Sequence, residues 1–169
     1  DALVKTSRLE SGVLAMTPKR HGIQQLLDAA SAQAAPRAEA KAITLTVEPT
    51  DLTARFDPKW TAEALYNLVD NAVKYTPAGG AVTLRAVGYE LFCRVDVTDT
   101  GPGIPESEQA RIFQRFYRSP SASEAEGVGI GLYLARQIAA GQGGYLKVSS
   151  RPGEGSTFSL FLPRAEERT

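Results

Sequence analysis

A two-layer α+β sandwich is the fold this sequence predicts, with about three helices on one face of a mixed, mostly antiparallel sheet. Three observations carry that expectation. Alternating stretches come as adjacent pairs, in "AVTLRAVGYELFCRVDVTDTG" and again in "GYLKVSS" with "STFSLFLP", which is the spacing of hairpins. Other stretches place apolar residues at helical spacing. Strands and helices do not alternate one for one, as the βαβ units of a parallel sheet require.

Taken in order, "DALVKTSRLESGVLAM" is helix-like through Leu3, Leu9, Val13 and Met16, and Pro18 stops it. "HGIQQLLDAASAQAAPRAEAKA" predicts a second helix with Ile23, Leu26, Leu27, Ala30 and Ala34 in one stripe; Pro36 inside it predicts a kink or an early end. "ITLTVEP" alternates, with Ile43, Leu45 and Val47 on one face of a half-buried strand. Asp57 and Pro58 form a cap and a first-turn proline for a helix reaching Tyr75. Two strands then turn near Gly88. A short helix after "GPGIP", a polar stretch "RSPSASEAEG" with the character of a mobile loop, a glycine run with a helix to about Ala140, and a final hairpin around "RPGEG" complete the chain.

Composition limits the function classes. Nineteen Lys plus Arg balance 19 Asp plus Glu, so no net charge attracts nucleic acid or an anionic membrane. The single cysteine, Cys93, excludes an internal disulfide framework and fits a reducing compartment. No apolar run approaches the roughly 20 residues of a membrane span, and no signal-peptide pattern opens the chain. A length of 169 residues predicts one domain with a segment left over at one end. The start at Asp1, inside a helical pattern, predicts a fragment of a longer protein.

Three constellations suggest chemistry. Gly127, Gly129 and Gly131 precede a helix, where bare backbone N–H groups and the helix dipole favour a phosphate chain. The G-x-G-x-G spacing is not that of a dinucleotide fold, and alone it equally describes a loop hinge. Asp99 ends a strand just before Gly101 and Gly103, so its carboxylate can accept from an exocyclic amine while a ring lies on bare backbone. A turn-initiating aspartate is the plainer alternative. Asn67, Asn71 and Lys74 share one helix face, which suits a metal-bound phosphate ligand better than an arbitrary solvated stripe.

In this order these residues resemble the ATP-binding catalytic domain of bacterial sensor histidine kinases. That domain belongs with DNA gyrase, the mismatch-repair ATPases and a heat-shock chaperone in one superfamily with the Bergerat ATP-binding fold. "NLVDNAVKYTP" resembles the N box, "DTGPGIP" the first glycine box, "RIFQRFYR" the F box, "GVGIGLYLARQI" the second glycine box and "GEGSTFSLFLP" the closing strand. The likeness covers about Leu3 to Pro163.

The resemblance implies that Asp99 binds the adenine amine with Ser156 assisting through its hydroxyl or a water. Gly101, Gly103 and Ile104 lie along the base and Tyr75 flanks it. Asn71 ligates Mg²⁺, while Lys74 and Arg118 neutralise the phosphates of ATP. Gly127, Val128, Gly129, Ile130, Gly131 and Leu132 receive the phosphate chain. Phe113 and Phe116 anchor a lid from about Tyr117 to Val128. Asn67 stands where gyrase-like ATPases carry a water-activating glutamate, which fits phosphoryl transfer to histidine rather than hydrolysis.

The second glycine box departs from the usual pattern: Val128 and Ile130 replace a small polar residue and a leucine, and should stiffen the hinge. The acceptor motif is absent, and the only histidine, His21, is a linker residue on this reading. The implied division is residues 1–18 as the end of a dimerisation hairpin helix and linker, 19–165 as the ATP-binding domain and 166–169 as a tail. The implied partners are the protein's own histidine hairpin and a response-regulator receiver domain, with no nucleic acid. The parent would be a membrane-anchored homodimer with this domain cytoplasmic, and the fragment alone a monomer that does not phosphorylate itself. Two alternatives stay open: a nucleotide-responsive binding module without transfer activity, and a serine kinase acting on an anti-anti-sigma partner.

Overall fold

The computed structural model describes residues 15–114 and 131–164. Five strands form the main sheet: β2 (Thr44–Val47), β4 (Ala81–Gly88), β5 (Phe92–Asp99), β6 (Tyr145–Ser150) and β7 (Ser156–Pro163). Their spatial order is β2-β4-β5-β7-β6. Among the described residues only β2 and β4 run parallel; the other pairs are antiparallel. Three long helices complete the sandwich: α1 (Ile23–Ala40), α2 (Pro58–Tyr75) and α4 (Gly131–Gly141), with the short α3 (Glu106–Gln109) between α2 and α4 in the chain.

Periodicity explains the layers. On α2, Leu65, Leu68, Val69 and Ala72 are fully buried, the 3.6-residue stripe that the helix turns inward. They meet Val82, Leu84, Val95, Val97, Phe158, Leu160 and Leu162, the inward alternates of β4, β5 and β7, in one continuous core. Asp57 caps α2 by accepting from the Trp60 N–H at 3.0 Å, with Pro58 in the first turn, as the sequence predicts.

Three features differ from the sequence reading. First, α1 does not end at Pro36; it continues to Ala40. The missing N–H of an interior proline costs about 3 kcal/mol. That cost is offset beyond the proline, where Ala38 is buried, Arg37 bridges to Asp70 at 2.8 Å, and Lys41 Nζ donates to the Val73 carbonyl at 3.0 Å. Second, α1 begins at Ile23, and His21 lies instead in a strand, β1 (Lys19–Gly22). Third, β1 pairs antiparallel with an unforeseen strand, β3 (Thr53–Phe56), in a separate two-stranded sheet. The His21 ring packs on Phe56 with centroids 5.4 Å apart. Residues 1–14 of the first helix-like stretch, the lid, Phe116 and the start of the glycine run fall outside the described residues.

Candidate functional site

Asp99 ends β5 and is 8% exposed. Its Oδ1 accepts from the Gly101 N–H at 2.9 Å, and the Ser156 N–H also donates to the carboxylate. Burial pushes the Asp99 carboxyl above the usual carboxylate range, and those two N–H groups draw it part of the way back. Asp99 thus sits as a pre-formed acceptor in a place that disfavours its charge.

The glycine loop after it is shaped by close approach. A β-carbon on Gly101 would stand 3.0 Å from Asp99 Oδ1, 3.1 Å from the Tyr75 carbonyl oxygen and 3.4 Å from Thr76 Oγ1. Gly103 has φ +78° and backs directly onto the Arg151 carbonyl, so any side chain is excluded twice over. Ile104 is held from both sides: its N–H donates to Ser150 Oγ at 2.7 Å and its carbonyl accepts from Gln109 Nε2 at 2.9 Å. A depression of about 210 Å³ opens at this end of the sheet, lined by Asp99, Ser150, Arg151, Gly155 and Ser156 among others.

On α2, Asn67, Asn71 and Lys74 are half-buried along one side. Asn67 faces α4, because a β-carbon on Gly131 would lie 3.7 Å from Asn67 Cγ. The Asn67 Nδ2 atom is buried without a hydrogen-bond partner among the described residues. Such a donor costs about 1–3 kcal/mol unless something else accepts from it. Lys74 Nζ lies 3.3 Å from Asp70, itself bridged to Arg37. Tyr75 is 37% exposed at the end of the helix.

Asn67, Asn71 and Lys74 thus share one side of α2, with Gly131 at the start of described α4 beside Asn67, and Gly101 lies beside Asp99 and the Tyr75 carbonyl. Gly103, Ile104 and Ser156 join the second group through the β6–β7 hairpin. Arg118, Gly127, Val128, Gly129 and Ile130 lie outside the described residues. Phe113 packs edge-on against Phe158 at 6.1 Å and on the core. Sequence reasoning missed Ser150, Thr76 and Gln109. Two adjacent serines at a strand end look like turn chemistry, and only strand register reveals what they face.

The family described as "Histidine kinase-, DNA gyrase B-, and HSP90-like ATPase" matches residues 56–166. The adaptive-response sensory kinase SasA of Synechococcus sp. (strain JA-3-3Ab) is 43% identical over 131 residues, 76% of this chain and 35% of that protein. The sensor protein DivL of Caulobacter vibrioides is 36% identical over 169 residues, 99% of this chain and 22% of that protein. Among solved structures, full-length ShkA in complex with AMPPNP superposes with a TM-score of 0.86 at 29% identity, covering 99% of this chain and 35% of that one. The mycobacterial sensor histidine kinase MprB superposes with a TM-score of 0.77 at 27% identity, covering 89% of this chain and 100% of that one. The chain spans about a third or less of the curated relatives named here.

Proposed function

Since the chain belongs to the histidine kinase-, DNA gyrase B- and HSP90-like ATPase family, we propose that it is the ATP-binding catalytic portion of a two-component sensor histidine kinase. The observation that carries this reading is a pairing of two unlike groups. A buried acceptor, Asp99, stands beside bare glycine backbone, while a buried donor without a partner among the described residues, Asn67 Nδ2, faces the α4 glycine. An adenine amine and a phosphate oxygen are the complements of those two groups.

On this reading Asp99 accepts from the exocyclic amine, with Ser156 assisting. Gly101, Gly103 and Ile104 bound the base and Tyr75 flanks it. Asn67 and Lys74, with Arg118 and the glycine run from Gly127 through Val128, Gly129, Ile130 and Gly131 to Leu132, hold the phosphates. Mg²⁺ fits the donor set: Asn71 offers a hard amide oxygen that would hold the ion together with phosphate oxygens, and the ion would supply charge neutralisation there. Among the described residues no cluster of three His, Cys, Asp or Glu offers an all-protein cage.

The terminal phosphoryl group then passes to a ring nitrogen of a histidine on a separate hairpin. Its bond to the bridging oxygen breaks as the N–P bond forms, and ADP leaves. Asn67 cannot take a proton from water, so its amide grips phosphate without promoting hydrolysis. Residues 1–18 would be the end of that hairpin and a linker, residues 19–165 the nucleotide domain and residues 166–169 a tail. A response-regulator receiver domain would be the next acceptor. The parent would be a membrane-anchored dimer with this domain in the cytoplasm. Among the described residues no helix is long and apolar enough to cross a membrane.

Titration calorimetry with Mg-ADP tests the reading. Asp99→Asn sets an amide donor against the amine and is expected to weaken binding by at least about a hundredfold. Unchanged affinity overturns the assignment. With labelled ATP and the parent's isolated hairpin, the chain should label that hairpin slowly, because docking lacks a tether, and Asn71→Ala should label nothing.

A further inference from the structure

Ser150, Ser156 and Asp99 form a row across three neighbouring strands. Ser150 pairs in register with Ser156, and Ser156 with Asp99. Residues directly opposite one another share a face of the sheet.

The protons in that row follow from counting. Ser150 Oγ lies 2.7 Å from the Ile104 nitrogen, 2.9 Å from the Gly155 carbonyl oxygen and 2.8 Å from Ser156 Oγ. The amide can only donate and the carbonyl can only accept. A hydroxyl has one proton and two lone pairs. All three contacts are hydrogen bonds only when Ser150 gives its proton to Gly155 and receives from both Ile104 and Ser156. The Ser156 proton is then committed to Ser150, and Ser156 Oγ has only lone pairs to present. The reverse assignment, with Ser150 donating to Ser156, forfeits the bond to Gly155.

We propose that Ser150 is a specificity-determining positioning residue: by holding the Ser156 proton, it makes Ser156 Oγ an acceptor beside Asp99, so that the base subsite takes a 6-aminopurine and rejects a 6-oxopurine. This rests on the reading that Asp99 binds the base amine. Two acceptors side by side match the two N–H groups of an amine, whereas a ring carbonyl would set a third acceptor against them. A hydroxyl free to turn would relax that choice, since it can donate to a carbonyl as readily as it accepts from an amine.

Calorimetric titration with Mg-ADP and Mg-IDP, which differ only at the purine 6-position and its ring nitrogen, tests the proposal. The unaltered chain should prefer ADP by at least about a hundredfold. Ser150→Ala should narrow that preference about tenfold, mainly because IDP binds better, and Ser150→Thr should restore it. In a Ser156→Ala background, Ser150→Ala should change the ratio no further. Equal weakening of both nucleotides by Ser150→Ala, or a narrowing that persists without the Ser156 hydroxyl, overturns the proposal. Ser156→Ala alone gives a check that leaves Ser150 in place. Removing an acceptor should leave IDP binding equal or tighter, and weaker IDP binding would mean that Ser156 donates. Asp99→Asn separates the two levels: if it leaves ADP affinity intact, the amine reading fails and takes this proposal with it. If ADP binding is lost while Ser150→Ala leaves the ratio unchanged, only the proposal fails.

Discussion

At its N-terminal end, α2 buries a polar network in which each member has a partner. Asp57 accepts from Trp60 and from the Thr17 N–H, its own N–H donates to Gln142 Oε1, and Gln142 Nε2 donates to Thr61 Oγ1 at 2.8 Å. Farther along, Asn67 Nδ2 at mid-helix and Oγ1 of Thr76, the residue that caps its C-terminal end, are buried with no hydrogen-bond partner among the described residues. Both ends are packed into one core, so burial does not separate them; completeness of hydrogen bonding does. A closed network serves the fold, since every polar group in it already has what water would have provided. An open one carries a standing cost that a ligand can remove.

Mutations that treat the two ends alike should therefore give unlike results. The largest expected effect is at the closed end. Gln142→Ala leaves the Asp57 N–H and the Thr61 hydroxyl without their shared partner and should lower unfolding free energy by about 2–4 kcal/mol in urea denaturation. A loss under about 1 kcal/mol would mean that the network relaxes freely, and the contrast would weaken.

A matched pair, one threonine in α2 and one capping its C-terminal end, sharpens the comparison. Thr61 and Thr76 are both fully buried. Thr61→Val removes a hydroxyl that accepts from Gln142 and should cost about 1–2 kcal/mol. Thr76→Val removes a hydroxyl with no partner at nearly the same shape, so stability should hold or rise. Equal losses in the two variants would erase the distinction.

The smallest expected effect is a pH slope. Burial raises the Asp99 carboxyl in the folded state, so protonation favours the folded form. The contribution is fully present below the unfolded value near 3.9 and is lost as pH rises through the raised folded value. Asp99→Asn should therefore flatten the stability profile of the empty protein over the range just above about pH 4. A slope of the opposite sign in the unaltered chain, erased by the same substitution, would show Asp99 stabilised as an anion.

Much of this arrangement was readable before the structure. The spacing of Asn67, Asn71 and Lys74 fixes a shared helix face wherever the helix packs, and the alternation in Val95, Val97, Phe158 and Leu160 turns each strand's apolar side inward. Asp57 and Pro58 announce the start of α2 by local chemistry alone. What could not be read depends on register between distant segments. Ser150 and Ser156 become partners through β6–β7 pairing, and Asp99 joins them across more than fifty residues of chain. The strands β1 and β3 have four residues each, too few for a period to stand out. Of the kink or early end that Pro36 predicts, the early end does not occur, because local propensity was outweighed by contacts made by Arg37, Ala38 and Lys41 on its far side.

Thermal melting of Asn67→Ala with and without saturating Mg-ADP tests the central claim most directly, because the pair of traces reports both stability and ligand-linked stabilisation. Alanine suits a helix better than asparagine, and among the described residues the Nδ2 donor has no bond to lose. The empty variant should therefore melt at or above the temperature of the unaltered chain, while most of the nucleotide-induced rise in melting temperature disappears. A variant that melts well below the parent when empty yet keeps the full nucleotide-induced rise would contradict the account, for Asn67 would then belong to the fold and not to the site.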